Sequence, residues 1–143
     1  MQTSSQHHSS IVATLVADTD RLTFLPRHFG RQMLTVERYV YSQFGTLCPA
    51  YRGGYWHFYD LSNGGCYLAP EGKTYPIIHE GNYFDGAVSG DAAGIIVSLF
   101  TFSQLSFILE HDPLGERIAT YYHLLRDFAS THPEAGLIYR AID

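Results

Sequence analysis

Read from the N-terminus, apolar positions in this chain recur first at helical spacing and then at alternating spacing. In residues 9–16, either Ser9 or Ser10 caps a short helix through Ile11, Val12, Leu15 and Val16, or the β-branched side chains form a strand. Residues 22–30 carry Pro26 and Gly30 and read as an irregular segment. Met33, Val36, Val40, Phe44 and Leu47 then recur at steps of three and four, which predicts a helix with one apolar face that stops before Pro49.

The period changes after that. Residues 55–61 and 66–68 are aromatic and β-prone, and Asn63-Gly64-Gly65 between them tolerates the positive φ of a tight turn. Residues 75–79 and 83–88 pair around Glu80-Gly81-Asn82. The four segments predict a four-stranded antiparallel meander. On the first strand Tyr55, His57, Tyr59 and Leu61 share one face, and Trp56, Phe58 and Asp60 share the other. Ser89 caps a helix running to about Leu109, with Asp91 in its first turn. Asp112-Pro113 starts the next helix, whose core face is Leu114, Ile118, Tyr121, Leu125 and Phe128. His132-Pro133-Glu134 opens a last short helix ending near Ile142. Helices before and after a sheet predict an α+β fold with helices packed on it.

Composition refines this picture. A chain of 143 residues is expected to be one domain, 1–143, with the polar residues 1–8 frayed. Residues 92–109 hold no charge, but Ser98, Thr101, Ser103, Gln104 and Ser106 dilute the run and no Lys or Arg flanks it closely. It reads as a buried core helix and not as a membrane span. The start of the chain lacks the basic and apolar regions of a signal peptide, so a cytoplasmic location with Cys48 and Cys66 reduced is expected. Only 16% of residues are charged while eleven are Tyr, which favours a binding surface or an aromatic-heavy core.

The net charge of −5 is unevenly spread, at +2 over residues 1–52 and −6 over residues 53–112. A nucleic-acid binder is usually more basic, and a protein imitating duplex DNA needs far denser negative charge. No nucleophile elbow, phosphate-binding loop or dinucleotide fingerprint occurs, and the eight histidines have no metal-ligand spacing. No catalytic residue, metal or cofactor is assigned. The best candidate surface is the Arg52–Tyr59 region, through Arg52, Tyr55, Trp56 and Tyr59, because Arg, Tyr and Trp dominate interface hot spots. The alternative is that Trp56 and Phe58 are buried and the tyrosines cover the rim. Arg27 and Arg31, with Arg21, form a second candidate. They meet phosphate, an acidic partner or the acidic 53–112 segment of the same chain.

Several stretches are more specific. Residues 21–30 (RLTFLPRHFG), 51–56 (YRGGYW), 61–65 (LSNGG), 91–94 (DAAG), 122–128 (YHLLRDF) and the ending 138–143 (IYRAID) resemble the KlcA/ArdB antirestriction family, closest to its KlcA branch, from about Leu15 to Asp143. The resemblance implies a protein of plasmids or other mobile elements that relieves restriction of incoming DNA by bacterial type I restriction–modification systems. It implies interference with such a complex or an associated host protein. The modest net charge of −5 argues against DNA mimicry, and no direct DNA binding is expected. It supplies no agreed active site. A DNA-binding plasmid-maintenance factor, suggested by the arginines between 21 and 52, is the alternative. A hydrolase using His57, Asp60 or Asp85 is the third class.

Overall fold

The first described element is a strand; the computed structural model describes residues 10–143, and the expected fraying of residues 1–8 and any cap at Ser9 lie outside the described residues. Strand β1 is Ala13–Leu15. A 3-10 turn at Asp18–Asp20 leads into helix α1, Arg21–Phe29. This corrects the irregular reading of residues 22–30. Pro26 lies inside the helix and deprives the Leu22 carbonyl of its donor. Leu22 is 92% exposed, so that carbonyl belongs to a residue on the solvent side of the helix. Phe24, Leu25, His28 and Phe29 form the buried face that holds the helix in place. A second 3-10 turn, Gly30–Gln32, precedes helix α2, Met33–Leu47, which buries Val36, Val40, Phe44 and Leu47 as its period predicts.

Strands β2 (Trp56–Leu61), β3 (Cys66–Pro70), β4 (Thr74–His79) and β5 (Phe84–Ser89) occupy the segments expected to be extended. They do not form one four-stranded meander. One sheet has the order β1-β2-β3 and a separate hairpin pairs β4 with β5, all antiparallel.

Helix α3, Gly90–Ile108, explains the division. Phe58 stands opposite Leu68 in the β2–β3 register, and its carbonyl bonds Val16 of the β1 side. Leu68 therefore turns its N–H and C=O away from β2. There the Ser98 hydroxyl accepts from Leu68 N and donates to Leu68 O, both at 3.2 Å. Gly94 of the same helix lies against Ala69 and Leu68, and Gly90 against Pro70 and Gly72. Spaced four apart, Gly90, Gly94 and Ser98 bring the α3 backbone directly onto the open edge of β3. With that edge taken by a helix, β4 has no strand to join.

α3 is long and apolar enough by length and composition to cross a membrane, yet here it is the core helix. It packs on β3, α2 and the remaining helices α4 (Pro113–Ala129) and α5 (Ala135–Ile142). The caps expected at Ser89 and Asp112 are present: Ser89 Oγ accepts from Ala92 N at 3.0 Å, and Asp112 Oδ1 accepts from Leu114 N at 2.8 Å. The link from α4 to α5 is tied to the start of α3. Asp91 accepts from the Tyr67 hydroxyl at 2.7 Å and from His132 Nε2 at 2.8 Å, while Glu134 accepts from Ser89 N at 2.9 Å and Ser89 Oγ at 2.5 Å. His132 Nδ1 accepts from Glu134 N, which leaves Nε2 to carry the proton that Asp91 receives.

Candidate partner-binding site

Helix α1 and the start of strand β2 bring together Arg21, Arg27 and Tyr55 of the residues singled out in the sequence. Phe24 stacks on Phe58 with ring centroids 4.7 Å apart, so the buried face of α1 packs against β2. Arg21 extends across that seam, its guanidinium 4.4 Å from the ring centres of both Tyr55 and Phe58. Tyr55 is 45% exposed, and Leu22 and Leu34 are bare apolar side chains on the same crevice as Arg21. Between them α1 and α2 enclose a crevice of about 280 Å³ lined by Arg21, Leu25, Pro26, Met33, Glu37 and Phe58.

Deeper on the same seam is a polar cluster. Arg27 clasps Asp60 through two bonds, Nη1 to Oδ1 at 3.3 Å and Nη2 to Oδ2 at 2.9 Å. His28, 7% exposed, bonds Asp60 Oδ1 through Nε2 at 2.6 Å and the Tyr121 hydroxyl through Nδ1 at 2.9 Å. An ionised Asp60 only accepts, so the network places the proton on Nε2 and leaves Nδ1 to accept from Tyr121. Burial pushes the Asp60 carboxyl up, but the hydrogen bonds from Arg27 and His28 outweigh it and hold Asp60 below the usual carboxylate range. Burial lowers the His28 pKa, and the bond to Asp60 offsets this only in part. The Tyr121 hydroxyl is pushed up to about 12, chiefly by burial. The cluster is thus a neutral imidazole between a phenol and an ion pair, closed in by Phe24 and Phe29. It holds α1, β2 and α4 together.

These shifts set a pH dependence. His28 titrates lower in the folded state, so the unfolded chain takes up a proton that the folded chain refuses. Its contribution is complete above about pH 6.5 and is lost as pH falls below that. Asp60 and Asp91 are also held low, Asp91 because the bonds from His132 and Tyr67 outweigh its burial. Their contribution is present above about pH 4 and lost below it. The melting temperature is expected to fall in two stages on acidification, and His28→Gln to flatten the upper stage. A thermal melt series from neutral to acid pH checks it, and a single stage in the parent protein would contradict it.

The other predicted residues scatter. Trp56 is only 4% exposed, wedged between Tyr41 and Phe44, and its Nε1 donates to the Tyr51 hydroxyl at 2.7 Å. Its ring is a core element, and Tyr55 lies just before the strand and not within it. Tyr59 is half-buried on the opposite face of β2, stacked on Tyr67 at 4.7 Å, and burial raises its pKa. Arg52 is exposed but bends back to the carbonyls of Pro49 and Tyr51, at 2.8 and 3.3 Å. Arg31 sits apart, in a crevice of about 230 Å³ shared with Gln32, Asp112 and Arg117. Arg27 and Arg31 thus belong to α1 and the turn after it, and not to an irregular loop. His28 is not singled out in the sequence, and Tyr121 reads there only as part of the core face of its helix. The helical spacing of Phe24, Leu25, His28 and Phe29 carries the signal for His28, once Pro26 is allowed inside a helix.

Among the described residues no group of three or more His, Cys, Asp or Glu is placed to hold a metal ion, and Cys48 and Cys66 are free and buried.

Comparison with known proteins places this geometry. The family model described as antirestriction protein matches residues 49–143. An antirestriction protein KlcA from Escherichia coli is 50% identical over 145 residues, covering 99% of both chains. A putative antirestriction protein, YubI, from Escherichia coli strain K12 is 39% identical over 90% of this chain and 93% of its own. A solved structure superposes with a TM-score of 0.86 at 46% identity, covering 93% of this chain and 95% of that one. It comes from work on the KlcA and ArdB proteins that describes a novel fold and antirestriction activity against type I DNA restriction systems in vivo but not in vitro. Sequence and fold agree along nearly the whole length, and the chain belongs to the antirestriction protein family.

Proposed function

We propose that this chain relieves restriction of incoming plasmid or phage DNA by type I restriction–modification systems, acting in the cytoplasm through contact with another protein and not through catalysis. The observation that carries the reading is the 50% identity to a KlcA protein across 99% of both chains. The related solved structure is described as active in vivo but not in vitro, which favours a partner that only the cell supplies, either an assembled restriction complex or a host protein associated with it.

Charge argues for contact over mimicry. A duplex as long as this domain, about 35 Å, carries about 20 negative charges, against a net −5 here. Arginine disposition argues against direct DNA binding. Arg27 is neutralised by Asp60, Arg52 serves its own loop and Arg21 lies over aromatic rings. What remains accessible is a mixed apolar and cationic face, with Leu22 and Leu34 beside Arg21 and Tyr55 under its guanidinium. Exposed aromatic and arginine groups of this kind suit a protein interface.

Expression of the chain is expected to raise plating of unmodified phage on a type I restricting host while host methylation persists. Arg21→Glu with Tyr55→Ala is expected to reduce that relief about tenfold, with an unchanged melting temperature. Unchanged plating with the parent protein would overturn the function. Full relief by the double variant would remove this face from it.

A further inference from the structure

We propose that the corner where α3 meets α4 is a second docking surface, and that it takes a cationic amphipathic segment of a partner protein. Helix α3 is buried along most of its length, but it ends on Phe107 and Ile108, which are 73% and 62% exposed. Beside Phe107 a crevice of about 490 Å³ opens between the two helices, floored by Ala119 and Tyr122. An apolar anchor entering it meets Phe107, Ala119 and Tyr122, with Ser103 and Ser106 beside them.

The rim specifies the charge of the occupant. Glu110 and Glu116 line the crevice and no Lys or Arg does. The last turn of α3 has no basic residue either, and Glu110 follows its C-cap, Leu109. The C-terminal end of a helix already carries roughly half a negative charge, so an acidic side chain there is placed against the dipole. The nearby cationic candidates do little to relieve it. His111 reaches Glu110 at 3.6 Å but is 95% exposed and charged only when protonated, as is His123 of the crevice. Arg117 is turned away to the His28 carbonyl. Glu116, in the first turn of α4, sits at the favourable end of that helix's dipole, so Glu110 is the carboxylate left against a dipole. An exposed apolar anchor beside two carboxylates, with no Lys or Arg lining the crevice, calls for a partner carrying both apolar and basic side chains. A second copy of this chain would set the same carboxylates against each other, and an anionic lipid surface would be repelled. The inference stands on these groups and does not rest on the antirestriction reading.

The test uses the full chain and a fluorescein-labelled helix of about 18 residues, five turns, built from Leu and Lys, with Glu replacing Lys in the control. Anisotropy titrations are expected to show the Lys helix binding at least tenfold more tightly than the Glu helix. Phe107→Ser with Ile108→Ser is expected to weaken it at least tenfold, and so is Glu110→Lys with Glu116→Lys, while both variants melt like the parent. Equal binding of the two helices, or unchanged binding by either variant, overturns the proposal. So does a concentration-dependent dimer in sedimentation velocity that the Phe107→Ser, Ile108→Ser variant dissolves, which would make the occupant a second copy. Vesicle binding lost in the same variant would make it a lipid surface and overturns the proposal equally.

Discussion

Gly94→Ala is expected to abolish folding, although Gly→Ala inside a helix ordinarily stabilises by up to about 1 kcal/mol. A Cβ built at Gly94 would overlap both Cα and Cβ of Ala69 and would lie 2.5 Å from the Leu68 carbonyl oxygen. Those are backbone and near-backbone atoms of β3, so no side-chain rotation relieves the overlap. Relief requires α3 to lift from the sheet edge. That movement also separates Ser98 from Leu68 and leaves the Leu68 N–H and C=O buried without partners. Overpacking of about 1–3 kcal/mol or more and two orphaned backbone groups at about 1–3 kcal/mol each reach the whole stability of an ordinary domain. Soluble yield and urea unfolding check the outcome. Gly136→Ala in α5 is the control, because its Cβ meets nothing within 4 Å, and it is expected to hold or raise the unfolding midpoint. A Gly94→Ala protein as stable as the parent would show that α3 does not sit this close to β3.

Asp60→Ala is expected to lower the unfolding free energy by about 2–3 kcal/mol. The carboxylate accepts three bonds, two from Arg27 and one from His28. Its removal leaves the His28 Nε2–H unpaired in a site only 7% exposed, while the more exposed Arg27 regains water. The figure lies below the range for a fully buried pair because the Asp60 side chain is 35% exposed. Asp60→Asn is expected to cost less, since its carbonyl oxygen still accepts from His28. The imidazole offers a second readout. Asp60 is the group that favours protonated His28, so its loss moves the His28 titration further down. NMR titration of the ring that stayed put would separate His28 from this carboxylate and refute the network drawn above.

The parts of the fold legible in the sequence are those fixed by neighbours along the chain. Ser89 and Asp112 cap their helices through amides two or three residues away, and the β2–β3 and β4–β5 hairpins close around local turns. The parts that were not legible depend on distant partners. For residues 9–16 the sequence leaves a capped helix and a strand both open; the described part is no helix, and the three-residue β1 acquires its strand character from β2, more than forty residues later. The division into two sheets follows from α3 occupying the β3 edge, and the stripe of Gly90, Gly94 and Ser98 has that meaning only once β3 is beside it. Pro26 concealed α1 because the buried face that stabilises the helix is contributed by tertiary packing. At the candidate site, alternation placed Trp56 and Phe58 on one face correctly, but nothing local showed that Phe44 and Tyr51 cover the indole. His28 finds Tyr121 across 93 positions, a pairing no window of the sequence contains.

The helix seated on the β3 edge has a consequence for synthesis. Residues 66–70 leave the ribosome before residues 90–98 that will cover them. At about 5–20 residues per second the nascent chain carries a bare, apolar strand edge for about one to six seconds. In that interval the β2–β3 hairpin is open to pairing with other nascent chains, so slow translation over the β4–β5 region lengthens the exposure, and faster translation or chaperone capture there raises the yield of folded protein.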